Sequence, residues 1–138
     1  MGNYFQPEIE CASREQIRAW QDERLVRQVR HVYDNVPYYK KLMVEKGVEP
    51  GDIKSVDDLH KLPFLTKDDL RDAYPLGLAA VPDTEIVRIH SSSGTTGTPV
   101  IIPYTKKDVE DWALMFKRCY ETAGLTKADR VQITPGYG

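Results

Sequence analysis

The sequence predicts an α/β chain with a helical N-terminal region, residues 1–80, followed by the opening strands and helix of an incomplete α/β layer over 81–138. Three observations predict it. Helix-capping signatures recur through the first eighty residues, β-branched runs begin after Pro82-Asp83, and a stretch of Ser, Thr and Gly lies between two of those runs. The 138 residues suffice for one ordinary domain, and 41% hydrophobic with 29% charged residues is the balance of a globular chain.

Ser13 and Gln16 form a capping box, behind which Ile17, Trp20, Leu25, Val29, Val32 and Val36 recur at helical spacing, predicting an amphipathic helix from about residue 14 to 34. Its polar face, with Arg14, Glu15, Arg18, Glu23, Arg27 and Arg30, reads as solvated surface. Pro37 opens a second helix, since an early helical position forgoes an N–H that has no intrahelical partner, and Gly47 stands where a left-handed cap belongs. Ser55 with Asp58, and Thr66 with Asp69, repeat the capping signature. The latter opens a helix through Leu70 and Tyr74 that Pro75 stops.

Glu85-Ile86-Val87-Arg88-Ile89-His90 is rich in β-branched residues and short enough for a strand. Val100-Ile101-Ile102 is a second such run, which Pro103 is expected to limit. Thr105 with Asp108 caps a helix that runs to Gly124, with Val109, Trp112, Ala113, Phe116 and Tyr120 on one face. The Trp112, Phe116 and Tyr120 stripe is expected in the core. Asp129-Arg130-Val131-Gln132-Ile133-Thr134 reads as a further strand.

A formal net charge of −2 offers no basic face to phosphodiester backbones, which argues against a nucleic-acid partner. Cys11 and Cys119 lack neighbours at metal-ligand spacing and read as free thiols. No apolar run is long enough to span a bilayer and no signal peptide is recognisable, so no membrane partner and a cytoplasmic location are expected.

The chemistry concentrates between Ser91 and Thr98, which consists only of Ser, Thr and Gly. A polyphosphate presents several anionic oxygens, each requiring a donor. Gly94 and Gly97 let bare backbone approach closely, and the hydroxyls of Ser92, Ser93, Thr95, Thr96 and Thr98 add donors. Such runs also serve as flexible linkers, but this one lies between two strand-like runs and ends on the stiff Pro99. It is not a Walker A loop, because Thr98-Pro99 follows Gly97 where that motif has Lys-Ser/Thr. Charge neutralisation therefore falls to Mg²⁺, the usual companion of nucleotide phosphates.

Ser92-Ser93-Gly94-Thr95-Thr96-Gly97-Thr98-Pro99 resembles the phosphate-loop signature of the adenylate-forming superfamily, which includes acyl-CoA synthetases. Val36-Pro37-Tyr38-Tyr39, Leu62-Pro63-Phe64-Leu65-Thr66-Lys67-Asp68-Asp69-Leu70-Arg71, Tyr74-Pro75 and Val87-Arg88-Ile89-His90-Ser91-Ser92-Ser93-Gly94 resemble phenylacetate-CoA ligases, and the likeness spans essentially the whole chain.

The resemblance implies an acid-thiol ligase that uses ATP, Mg²⁺ and coenzyme A. An aryl-acetate carboxylate attacks the α-phosphate of ATP, releasing pyrophosphate, and the thiol of coenzyme A then displaces AMP. Within it, Ser92, Ser93, Gly94, Thr95, Thr96, Gly97 and Thr98 would bind the β- and γ-phosphates, with none of them a nucleophile or base. Tyr137 resembles an aromatic residue near the aryl-acid pocket. Many members carry Lys in place of Thr98, and the family's chains are much longer. The acidic residue and Arg that hold ribose and metal, and the C-terminal Lys that assists adenylation, have no counterparts here. The chain is therefore expected to be the N-terminal part of such a ligase, without turnover by itself. The alternatives are a non-catalytic helical interaction module, with a homodimer as its assembly, and a related adenylating enzyme for another carboxylate. His90 flanks the loop and reads as a strand-end residue.

Overall fold

The structure, a computed structural model, describes residues 4–92 and 97–134. Helices α1 (Pro7–Glu10), α2 (Arg14–Asn35), α3 (Pro37–Glu45) and α4 (Lys67–Asp72) precede strands β1 (Ile86–Ser91) and β2 (Ile101–Thr105) and helix α5 (Lys106–Thr122). Single 3₁₀ turns at Pro50–Asp52 and Asp83–Glu85, and a longer 3₁₀ segment at Val56–Lys61, connect them. None of the described helices is long and apolar enough to cross a membrane.

Local capping chemistry explains most helix starts. Ser13 Oγ accepts from the Gln16 N–H while Gln16 Oε1 accepts from the Ser13 N–H, at 3.2 and 3.0 Å. Thr105 and Asp108 repeat this exchange at the start of α5. Helix α3 ends on Gly47 at φ 69°, where the Val48 N–H reaches the Met43 carbonyl and the Gly47 N–H the Val44 carbonyl. Val48 then folds back into the core, which consists of Val29, Met43, Val48 and Ile53, with Leu25, Tyr33, Tyr39 and Leu62 packed around it.

Longer-range polar bonds tie the connecting segments to this core. Asp22 Oδ1 accepts from the Val56 N–H at 2.8 Å, and Arg18 bridges Asp22 and Asp57, so part of the α2 polar face expected to be plain surface anchors the 3₁₀ segment. The Tyr39 hydroxyl donates to the Pro63 carbonyl at 3.0 Å, and the Tyr38 hydroxyl donates to Asp69 at 2.7 Å. These bonds fasten the Leu62-Pro63-Phe64 segment, and the α4 start beyond it, to α3.

β1 and β2 pair antiparallel, Ser91 opposite Ile101 and Ile89 opposite Pro103, with a bulge between Ile86 and Arg88. β2 runs through Pro103 to Thr105, which corrects the expectation that this proline would limit it. Ser92 donates its N–H to the Val100 carbonyl, so ladder bonds fall on the 92/100, 90/102 and 88/104 pairs. Pro103 sits on the other parity, where its missing N–H faces away from β1 and no bond is lost.

Three further expectations are corrected. Residues 129–134 form no strand: Val131 and Ile133 are exposed, and β1 and β2 pair only with each other. Trp112, Phe116 and Tyr120 are also exposed, because the described part of the fold offers α5 little more than the two-stranded ribbon to lie on. The helix begun at Lys67 ends at Asp72, two residues before the cis Tyr74-Pro75 bond. Unforeseen contacts place Phe5 and Gln6 on α5: Gln6 Oε1 accepts from the Arg118 guanidinium, and the Lys117 ammonium lies 3.8 Å from the Phe5 ring centre.

Hydrogen bonds from Lys61 and from the backbone hold the Asp58 carboxyl down at about 2, and bonds from Thr66 and then Tyr38 hold Asp69 at about 2. Both values lie below that of an unfolded aspartate, so the folded chain binds fewer protons in between. Their stabilisation is present above about pH 4 and is lost as the pH falls toward 2. The urea midpoint is expected to be lower at pH 3 than at pH 6, and Asp69→Asn should shrink that difference. Met43→Ala, at a fully buried position, should cost about 2–5 kcal/mol in the same titration.

Candidate functional site

The hairpin brings the two ends of the Ser/Thr/Gly stretch together. Ser92 sits beyond the last residue of β1 and Val100 just before the first of β2, and two hydrogen bonds join them. The Ser92 N–H donates to the Val100 carbonyl at 3.0 Å, and the Val100 N–H donates to Ser92 Oγ at 2.9 Å. Val100 is buried, which anchors this neck, whereas Ser92, Gly97 and Thr98 are exposed. Gly97 has φ 125°, in the region that favours glycine, as expected for a turning loop.

Of the expected phosphate-binding set, Ser92, Gly97 and Thr98 are thus at one end of the hairpin. Ser93, Gly94, Thr95 and Thr96 lie outside the described residues, as does Tyr137. Ser92 has a duty that sequence reasoning missed: its oxygen is the acceptor for the Val100 amide. Its own O–H is left to donate outward. The signal for that duty was available only as a Ser at the exact strand end.

His90, directly upstream, turns its ring toward α5. Its centroid lies 5.0 Å from that of Tyr104 and 5.3 Å from that of Trp112, so the strand-end role expected of it holds. The nearby carboxylate Asp108 is engaged in the α5 cap, accepting from the Thr105 N–H and hydroxyl at 2.8 Å each. Lys107 is paired with Asp111. Among the described residues no three His, Cys, Asp or Glu side chains assemble as a metal site, and both cysteines are free and exposed.

A cleft of about 610 Å³ opens between β2 and the 73–81 segment, lined by Leu76, Ala79, Ile86, Ile101 and Pro103 among others. Its walls are mainly apolar, with Gln28, His31, Thr105 and the carboxylate of Asp108 among them, and exclude Ser92, Gly97 and Thr98, so it does not suit a polyphosphate. The described residues of the hairpin end, in contrast, offer neutral hydroxyl and amide donors, a set that can position and stabilise anionic oxygens.

The fold matches part of a larger solved chain. A 2-hydroxyisobutyryl-CoA ligase structure, in the postadenylation state with R3-HIB-AMP, superposes with a TM-score of 0.79 at 24% identity, over 88% of this chain and 26% of that one. In sequence the chain is similar to phenylacetate-coenzyme A ligases. It is 50% identical to that of Aromatoleum evansii over 130 residues, 94% of this chain and 30% of that protein. It is 46% identical to that of Thermus thermophilus over 134 residues, 97% of this chain and 30% of that protein. The chain therefore spans about 30% of the length of the curated relatives it matches. No family model matches it.

Ser92→Ala removes the acceptor for the buried Val100 amide and should cost about 1–3 kcal/mol. Faster hydrogen exchange at the Val100 amide checks it. Gly97→Ala meets no side-chain clash but forces a non-glycine residue to φ 125°, at about 1–3 kcal/mol of strain.

Proposed function

We propose that these residues work within an ATP-dependent ligase that joins an aryl acetate, phenylacetate first among them, to coenzyme A in the cytoplasm. Their part is to hold the β- and γ-phosphates of ATP while the acyl-adenylate forms. The observation that carries this reading is the closed neck at Ser92 and Val100, whose two sides are joined in sequence by a connection made only of Ser, Thr, Gly and one Pro, with Gly97 at positive φ. The likeness to phenylacetate-coenzyme A ligases over nearly the whole chain supports the choice of acid and of thiol.

In the first step the acid's carboxylate oxygen bonds to the α-phosphorus as the bond to the pyrophosphate oxygen breaks. Charge grows on the leaving group. Hydroxyls of Ser92, Ser93, Thr95, Thr96 and Thr98, together with backbone N–H groups at Gly94 and Gly97, would donate to those oxygens and lower the cost of that charge. In the second step the sulfur of coenzyme A attacks the acyl carbon and AMP leaves, a step in which the loop has no direct part.

The described residues supply no free carboxylate cluster for Mg²⁺. The cation is therefore taken to arrive with the nucleotide, as a counterion on the phosphates. We place the division between the helical region and the nucleotide-binding part near residue 80.

The test is ATP–pyrophosphate exchange by the enzyme carrying this sequence, with phenylacetate as acid. Thr95→Ala together with Thr96→Ala should slow exchange by about a hundredfold or more, the cost of losing preorganised donors. Exchange at the wild-type rate in the double variant would sink the loop assignment. A set of other carboxylic acids in the same assay decides the substrate.

A further inference from the structure

Three aromatic rings from three elements meet beside the neck. His90 comes from β1, Tyr104 from β2 and Trp112 from α5, and every pair of them is in contact. The centroids are 5.0 Å apart for His90 and Tyr104, 5.3 Å for His90 and Trp112, and 5.6 Å for Tyr104 and Trp112. The Tyr104 and Trp112 planes lie 13° apart and stack, while His90 meets them at 60° and 71°. Stacked and edge-on rings of this kind fix orientation as well as distance, because each ring has only two side-chain torsions to restrain.

The placement of this cluster gives it a consequence for the loop. His90 pairs with Ile102 and is followed directly by Ser91 and Ser92, and Ser92 is bonded to Val100. Tyr104 lies on the same strand face, opposite Arg88. Phe116 continues the row of rings along α5, 5.8 Å from Trp112. What Trp112 does in this fold is grip one side chain from each strand of the hairpin.

We infer that Trp112 is a positioning residue for the phosphate loop: by holding His90 and Tyr104 it fixes the strand ends at Ser92 and Val100 relative to α5. It touches no reacting atom. The inference rests on the ligase reading above and adds to it a residue outside the loop, on the helix that follows the hairpin.

The experiment measures ATP–pyrophosphate exchange with ATP and acid varied separately. Trp112→Ala should raise the KM for ATP on the order of tenfold and leave the KM for the acid within about twofold, since a small misplacement of binding groups is costly only for the ligand they touch. Trp112→Phe keeps a ring against His90 and Tyr104 and should recover most of the loss. A purely structural role would instead lower the active fraction, and thus kcat, with both KM values unchanged. That result overturns the inference, as does an equal rise in both KM values. If Trp112→Ala does not fold, His90→Leu and Tyr104→Leu apply the same criterion one ring at a time. Should the Thr95, Thr96 double variant keep full exchange, the ligase reading of the loop fails and this inference falls with it. Should that variant lose exchange while Trp112→Ala keeps the wild-type KM for ATP, positioning alone fails.

Discussion

Ser92 and Val100 are bound to each other twice, once through the backbone and once through the Ser92 hydroxyl, and the hairpin takes its register from that closure. Because the second bond goes to a side chain, the regular ladder ends at Ser91 and Ile101. The same register puts Pro103 opposite Ile89, at a position that contributes no bond to β1. A slip of one residue would bring the proline into the ladder and turn every side chain to the other face. His90 and Tyr104 would then lose Trp112. One neck thus decides where a proline is harmless and which rings meet α5.

Cohesion is unevenly distributed between the two regions. Met43 and Ile53 are fully buried in the helical region, where Val29 and Val48 complete a small core. The hairpin and α5 bury only Val100 among their described residues and leave Ile89, Ile102 and Phe116 open. Packing of large apolar side chains stabilises the N-terminal part, and directional contacts join the hairpin to α5: the neck bonds, the aromatic cluster and the Thr105 cap.

What was legible in the sequence was what is local. Ser13 with Gln16, Ser55 with Asp58, Thr66 with Asp69 and Thr105 with Asp108 each place donor and acceptor within one turn, and all four form as read. Gly47 likewise needs only its own helix end to take positive φ. The loop's character was readable because six hydroxyls and two glycines in a row cannot make a core. The misses involve partners far away in the chain. Residues 129–134 have the alternation of a strand, but alternation does not supply a neighbour to pair with, and no described strand pairs there. Helical spacing put Trp112, Phe116 and Tyr120 on one face without saying what covers it. The contacts of Asp22 with Val56, and of Gln6 with Arg118, span 34 and 112 positions and leave no periodic trace. Ser92 was identified as a donor, but its acceptor duty depends on the register of a strand eight residues later.

The absence of a lysine between Ser91 and Val100 sharpens the physical demand on this site. A charged side chain attracts an anion over several ångströms and tolerates small displacements, because the Coulomb term falls slowly with distance. Hydroxyls and amide N–H groups act only within hydrogen-bond range and at favourable angles, and they weaken steeply outside it. A loop that handles polyphosphate with neutral donors therefore depends more on how its ends are held than one that carries its own cation. That dependence gives a physical reason for α5 to present Trp112 to one ring from each strand of the hairpin, because the orientation this contact imposes on the neck at Ser92 and Val100 is what short-range donors beside it require.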